Sequence, residues 1–488
     1  MDLSVVIPTY RRPEKIAACL RALARQTMPP ERYEVLVGLD GPDAATAEAC
    51  RRTWHEAGGR AELVVVECER SGLAAVRNRL IERARGAILL SLNDDVLAEP
   101  DLCAVHAREG LALLAMDRPA TIVGDSPWVV HADDTLMERL VRETSMIFFY
   151  DQMTGPRRDD PAHDWGFRHA FGLNVSYPAA LVRDVGGYAV FPEKYGYEDT
   201  EIAWRLRERH GMPVLFRPAA VARHDHRITP DGYLDREMRL GHAAVGFAQM
   251  APACARELFG RDILDEQERR YAEEFTRRER AQAERLLETF RSWGSTPASA
   301  VSGPAERTLI RALYEQHLPL KRYAFRRGLL TALRGEPIDS VTLFDAPAER
   351  QTMHSTNGLA TRHAPTRTAV EPTAAPGFED CAWLFTCDNR NRGILRQNFD
   401  EAAALWRACK RTAGPVLEIG RRHAGSTCLL AMAAPGRRIV SIDIDPRHHP
   451  DAEAFLSRPG VRERVDLRIG DSRVPIGDGE GVGLLFID

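Results

Sequence analysis

The chain has 488 residues, 44% hydrophobic and 28% charged, with 66 basic against 70 acidic side chains and a net charge of −4. That length predicts about three domains, and that composition excludes a mainly disordered, fibrous or membrane-spanning chain. The balanced charge supplies no field that would draw the protein onto nucleic acid or anionic lipid.

Nine cysteines lie scattered without a Cys-x-x-Cys pair, the pattern of reduced thiols in a cytoplasmic protein. The N-terminal apolar run has no basic stretch before it and is cut by Pro8, so it reads as a strand and not a signal peptide. No apolar stretch reaches the roughly 18 residues that a bilayer span needs.

In chain order, Leu3–Ile7, Glu34–Leu39, Glu62–Val66 and Ala87–Leu92 are predicted strands, rich in Val, Ile and Leu. Pro13–Gln26, Ala44–Ala57 and Leu73–Arg85 carry helical spacing between them. Such alternation predicts a parallel α/β sheet covered on both faces. From about 110 to 245 the pattern is irregular and rich in aromatics and glycine, including Trp128, Trp165, Phe167, Phe171 and Gly172. Residues 262–293 predict a charged helix with an apolar stripe of Leu264, Tyr271, Phe275, Leu286 and Phe290. Residues 305–334 predict a basic helix whose charges read as a solvated or packing face. Together 246–344 form a helical middle region, which also offers a surface for homo-oligomer assembly. Residues 345–379, poor in large apolar side chains, read as a linker. From 380 a second Rossmann-like texture begins, with strands at Val416–Ile419, Arg438–Ile442, Val465–Ile469 and Gly483–Ile487.

In an open parallel sheet, ligands gather beyond the carboxyl ends of the strands. There the first four strands place Thr9, then Asp40, then Arg70, Ser71 and Gly72, then Asn93, Asp94 and Asp95. Carboxylates converge without a glycine-rich phosphate loop, so phosphates would need a carboxylate-held divalent cation, Mn²⁺ or Mg²⁺. The competing view of Asn93-Asp94-Asp95 is turn chemistry; its place after an apolar strand, one crossover from Asp40, favours a site.

The stretches SVVIPTYRR, VLVGLDGPD, SGLAAVRNRLIERARGAILLSLNDDV, FGLNVSYPAALVRDVGGY, YGYEDTEIAWRL and AAVARHDH resemble a family 2 glycosyltransferase of the GT-A fold over residues 1–245. The resemblance implies that Thr9 and Asp40 contact the base of a UDP-, GDP- or dTDP-sugar donor and that Arg77 lies near the base or diphosphate. It implies Asp94 near the ribose, Asp95 as metal ligand, and His224 as a late metal ligand with His226 in reserve. Asp199 is implied as general base and Glu198 as its acceptor-positioning partner, although acidic residues opening a helix are equally expected as caps. Inverting transfer needs one carboxylate to take the acceptor proton while a cation stabilises the leaving group. Trp204-Arg205 departs from the Q-x-x-R-W pattern of processive synthases, which favours transfer of a single sugar to a glycan, lipid-linked or other hydroxyl acceptor.

In the second texture, VLEIGRRHAGST resembles the first motif of class I S-adenosylmethionine-dependent methyltransferases, with His423 and Ala424 where many members have glycine. The resemblance implies a cofactor site at Glu418, Gly420, Gly425, Asp443 (Asp445 in reserve), Asp471 and Ser472, with Asp488 ending the fourth strand. Such domains continue through further strands, so this one is expected to be partial. The runner-up function is methyl transfer to a glycan in a longer parent chain, with the first domain only binding sugar nucleotide; a third is a scaffold with both sheets inactive.

Overall fold

A computed structural model describes residues 1–193, 196–303, 306–344, 377–378, 381, 384, 394–395, 397, 399–444, 448–471 and 481–487. Almost all of the expected linker, and with it Asp445, Ser472 and Asp488, lies outside the described residues. The chain divides into two compact units, one of residues 1–254 and 285–324, the other of 255–284 and 325–488. No helix among the described residues is long and apolar enough to cross a membrane.

The first unit is built on eight strands: β1 (Leu3–Thr9), β2 (Tyr33–Asp40), β3 (Glu62–Cys68), β4 (Ile88–Leu92), β5 (Val96–Ala98), β6 (Thr121–Asp125), β7 (Asn174–Pro178) and β8 (Val214–His224). They lie in the order β3-β2-β1-β4-β7-β6-β8-β5. The first four strands stand within two residues of their predicted bounds and are parallel. Every residue of β1 is buried, as a strand covered on both faces must be. One face packs Val5, Ile7, Val35 and Val37 with Ile16, Leu20 and Trp54 of the helices Pro13–Leu23 and Ala44–Glu56. The other packs Val6, Leu36 and Val66 with Leu80 of the helix Leu73–Arg83. That helix comes so close that a methyl group on Gly38 would overlap Val76.

The parallel arrangement expected of the first four strands does not extend to the rest of the sheet. β7 runs antiparallel to β4 and to β6, and β5 antiparallel to β8. Between β6 and β7 the chain passes through the helices Leu136–Glu143 and Pro156–Asp159 and re-enters the sheet from the opposite end.

The basic helix 305–334 is found as Glu306–Leu333, but its charges are not all solvated: Lys321 and Arg326 are fully buried. In the second unit Arg326 lies 4.9 Å over the Phe275 ring and 3.7 Å from Glu268, which Arg261 also approaches at 3.2 Å. In the helix Glu266–Gly294, Leu287 is buried where Leu286 was expected, while Tyr271, Phe275 and Phe290 are buried as expected. Leu264 precedes that helix and is exposed.

The second unit also carries β9 (Val416–Ile419), β10 (Ile439–Asp443), β11 (Val465–Ile469) and β12 (Leu484–Ile487), all parallel, in the order β11-β10-β9-β12.

Candidate functional site

Strand register brings one group of side chains together. β5 pairs with the end of β8 so that Val96 faces His224, and Asp225 N–H donates to the Asp95 carbonyl at 2.7 Å. Asp95 therefore stands beside both histidines. His226 Nδ1 is 3.1 Å from Asp95 Oδ2, and His224 Nε2 is 3.5 Å from Oδ1. One ligand atom from each of Asp95, His224 and His226 lies within 4.8 Å of the others, among the described residues the one such group of three. Asp95 Oδ1 and His224 Nδ1 are buried without a hydrogen-bond partner, a cost that a bound cation would offset at the carboxylate. One carboxylate and two imidazoles fit a divalent cation such as Mn²⁺, whereas Mg²⁺ prefers an all-oxygen set. His226, held only in reserve from the sequence, is as close to Asp95 as His224 is.

Burial alone would raise the pKa of Asp95, but the two imidazoles and Arg12 hold it well below the usual carboxylate range. Asp94 behaves oppositely, pushed up to about 6 by burial, against the pull of Arg12. Burial also lowers the pKa of His224, which favours the neutral, ligating imidazole. Its ring packs against Trp128 and Phe148, with centroids 4.3 and 5.7 Å away.

Arg12 is a residue that motif matching overlooks. Its Nη1 donates to Asp94 Oδ1 at 2.7 Å and its Nη2 to Asp95 Oδ2 at 2.9 Å, while Thr9 Oγ1 donates to Asp94 Oδ2 at 2.7 Å. The signal that could have found it is its place, an arginine between β1 and Pro13 at the start of the first helix, facing the carboxylates after β4.

Asp199 and Glu198 open the helix Glu198–His210, after Gly196 at φ 89° and Tyr197 at φ 71°. Left-handed backbone is costly for tyrosine; it is held by the Tyr197 hydroxyl donating to the Leu240 carbonyl at 3.0 Å and by stacking on Phe247 at 4.6 Å. Asp199 Oδ1 accepts from Arg77 Nη1 at 2.8 Å, and its Oδ2 from Gly172 N–H at 3.1 Å. Burial raises the pKa of Asp199, with Arg77 opposing. Burial and the neighbouring Asp199 charge push Glu198 up to about 7.

Arg77, expected beside the base or diphosphate, is instead 1% exposed and committed to protein groups. Besides Asp199 it donates from Nη2 to Asn93 Oδ1 and to the Gly172 carbonyl, both at 3.1 Å. It thus ties Asp199 to the Asn93-Asp94-Asp95 turn. Asn78, one helical position on, fixes the turn at Gly187 by exchanging two hydrogen bonds of 2.8 Å with the Tyr188 backbone.

Thr9 and Asp40 line a cavity of about 110 Å³ with Tyr10, Gly41, Asp43 and Arg70, the last 4.7 Å over the Tyr10 ring. Asp40 has a second duty there: its Oδ1 accepts from the N–H groups of Ser71 and Gly72 at 2.6 and 3.0 Å.

In the second unit, the loop after β9 has positive φ at Gly420, Arg422 and Ala424, an alternation that places Arg422, not His423, where glycine would be at ease. Asp443 Oδ2 is already engaged by the N–H groups of Arg421 and Arg422, both at 2.7 Å. Glu418 is fully buried and accepts from the hydroxyls of Ser426, Thr427 and Ser441 at 2.5 to 2.6 Å. Gly425 packs against the Ile394 carbonyl with no room for a side chain. Asp471 follows β11 at the same end of the sheet.

Residues 4–169 match the family model Glycosyl transferase family 2, so the first unit carries a domain of that family. The match stops short of Glu198, Asp199, His224 and His226. Validoxylamine A glucosyltransferase of Streptomyces hygroscopicus subsp. limoneus is 32% identical over 228 residues, 43% of this chain and 49% of that protein. Glycosyltransferase AglE of Haloferax volcanii is 41% identical over 93 residues, 19% of this chain and 30% of that protein. The chain thus spans about half or less of the length of these curated relatives. Among solved structures, the mannosyltransferase PcManGT from Pyrobaculum calidifontis, in complex with GDP-Man and Mn2+, aligns with 68% of this chain and 86% of its own at 18% identity and a TM-score of 0.41.

Proposed function

We propose that the first unit transfers one sugar from a nucleotide-sugar donor to an acceptor hydroxyl with inversion, using a divalent cation, Mn²⁺ in preference to Mg²⁺. The observation that carries this is the linkage at one sheet edge of a single positioned carboxylate, Asp199, with the group of buried Asp95 and His224 and half-buried His226, through Arg77 and Asn93. The family domain and the glucosyltransferase among its relatives support the same class of reaction.

In this assignment Asp95, His224 and His226 would hold the cation, which when bound neutralises charge on the departing diphosphate. Asp94 and Thr9 lie on the ribose side, and Asp40 and Thr9 line the cavity that takes the base. Asp199 accepts the acceptor proton at the oxygen that turns from Arg77 or Gly172, and Arg77 is a positioning residue that keeps this carboxylate ionised and aimed. Glu198, beside it, orients the acceptor. The aromatic wall of Trp128 and Phe148 excludes water from the His224 side.

Methyl transfer by the second unit is not proposed. Glu418 is buried and accepts from three hydroxyls, and Asp443 Oδ2 accepts from two backbone donors, so these oxygens are already engaged within the protein.

The test is Asp199→Asn, assayed as UDP or GDP release from a panel of nucleotide sugars with sugar acceptors and Mn²⁺. Transfer should fall by about 10²- to 10⁴-fold while nucleotide binding, followed by calorimetry, stays intact. Wild-type turnover in this variant would remove Asp199 from the mechanism.

A further inference from the structure

Arg12 holds Asp95, the carboxylate that a cation would need, together with its neighbour Asp94. Its guanidinium forks across Asp94 and Asp95 at 2.7 and 2.9 Å, and those carboxylates are 4% and 5% exposed. The Arg12 side chain itself is 37% exposed, so it is the solvent-accessible member of two ion pairs whose other members are buried. It occupies the N-cap position of the helix Pro13–Leu23 without a side-chain cap bond of its own, hence nothing in its helix keeps it there. Asp95 Oδ2 accepts from Arg12 and also meets His226. A cation bound by Asp95 and His226 would therefore compete with the guanidinium for the same oxygen.

From this geometry we infer that Arg12 is an internal counter-ion that yields Asp95 to the divalent cation and then pairs with the donor's diphosphate. The inference deepens the proposed metal-assisted transfer and rests on it. Physically, two adjacent buried carboxylates repel each other and require positive charge nearby. Arg12 supplies it in the free protein. Once a doubly charged ion takes over, the same guanidinium is repelled by that ion and freed, and its planar fork matches two phosphate oxygens. It stands at a helix N-terminus, where backbone donors also favour anions, and its neighbour Arg11 lines the cavity beside Asp40. Thr9, bonded to Asp94, lines that cavity.

The experiment compares wild type with Arg12→Gln and Arg12→Lys as full-length chains, each checked for folding by circular dichroism. Mn²⁺ binding is followed by electron paramagnetic resonance, and binding of inorganic pyrophosphate at saturating Mn²⁺ by calorimetry. Without pyrophosphate, Arg12→Gln should bind Mn²⁺ about tenfold more tightly than wild type, because a competing charge has gone. With Mn²⁺ present, its pyrophosphate affinity should fall about tenfold or more, and Arg12→Lys should recover little of it, since an ammonium lacks the fork. Equal or weaker Mn²⁺ binding by Arg12→Gln overturns the counter-ion role. Unchanged pyrophosphate affinity overturns the hand-over. Asp95→Asn separates the underlying assignment: if it binds Mn²⁺ as wild type does, the metal site itself is wrong and the inference falls with it.

Discussion

Gly172 shows how closely the Asp199 carboxylate is held. Its N–H donates to Asp199 Oδ2, and any Cβ built there would overlap both carboxylate oxygens. Gly172→Ala should therefore displace Asp199 without touching the donor, lowering kcat by about 10²-fold with donor KM nearly unchanged; a normal kcat would show that Asp199 tolerates displacement. Glu198 makes a pH prediction of definite sign. A carboxyl whose pKa is raised from 4.5 to about 7 holds its proton more tightly when folded, so stability declines as pH climbs through that window and is flat on either side. Glu198→Gln removes this carboxyl's share of the decline and leaves that of Asp94 and Asp199, whose pKa values are also raised. It should match wild type below pH 4.5 and exceed it above pH 7 by no more than about 3 kcal/mol, read as denaturant midpoints at both pH values. A constant difference across that range would dismiss the raised pKa. Residue types at strand ends were legible from sequence because topology dictates where those ends meet. Arg12, Gly172 and Asn78 were not, since their roles follow from contacts between positions 27 to 110 residues apart, which no local pattern encodes.

Among elements, the loop between β3 and the helix Leu73–Arg83 depends on a side chain from another strand. Asp40, ending β2, accepts from the Ser71 and Gly72 N–H groups, and Gly72 at φ 92° is the N-cap that has no side chain to do so. A residue expected to contact a base thus also caps a helix from outside. Asp40→Ala should cost about 1 kcal/mol even with no nucleotide present, whereas Asp40→Asn, which keeps a carbonyl acceptor, should retain most of that stability. If thermal midpoints of both variants equal wild type, the carboxylate serves ligand alone. The strands and helices up to residue 92 were readable because burial on both faces leaves continuous runs of Val, Ile and Leu flanked by amphipathic stretches. β6, β7 and β8 were not: β7 begins at Asn174, whose side chain bonds the Asp125 and Ala220 carbonyls and buried His106. A strand held by a polar network gives no hydrophobic signature.

At the scale of the whole chain, the candidate site belongs wholly to the first unit, although Asp95 and His224 are far apart in sequence. A cation joining them closes a long loop of that unit and should stabilise it alone. Thermal unfolding followed by calorimetry should then show ligand dependence confined to one transition. Mn²⁺ with UDP, GDP, dTDP or CDP at 100 times its dissociation constant adds about 2.7 kcal/mol to the state that binds, and EDTA should abolish the shift. The nucleotide that produces it identifies the base. S-adenosylmethionine should move neither transition, because Glu418 is engaged by Thr427 of the following helix and Asp443 Oδ2 by the loop after β9. A shift of the second transition by S-adenosylmethionine would mean that the loop of Gly420, Arg422 and Ala424 rearranges to release Asp443, and methyl transfer would return as a second activity. A metal-dependent shift in both transitions would mean that the two units unfold as one cooperative body. If no nucleotide shifts either transition, the carboxylates after β2 and β4 serve the fold and not a donor.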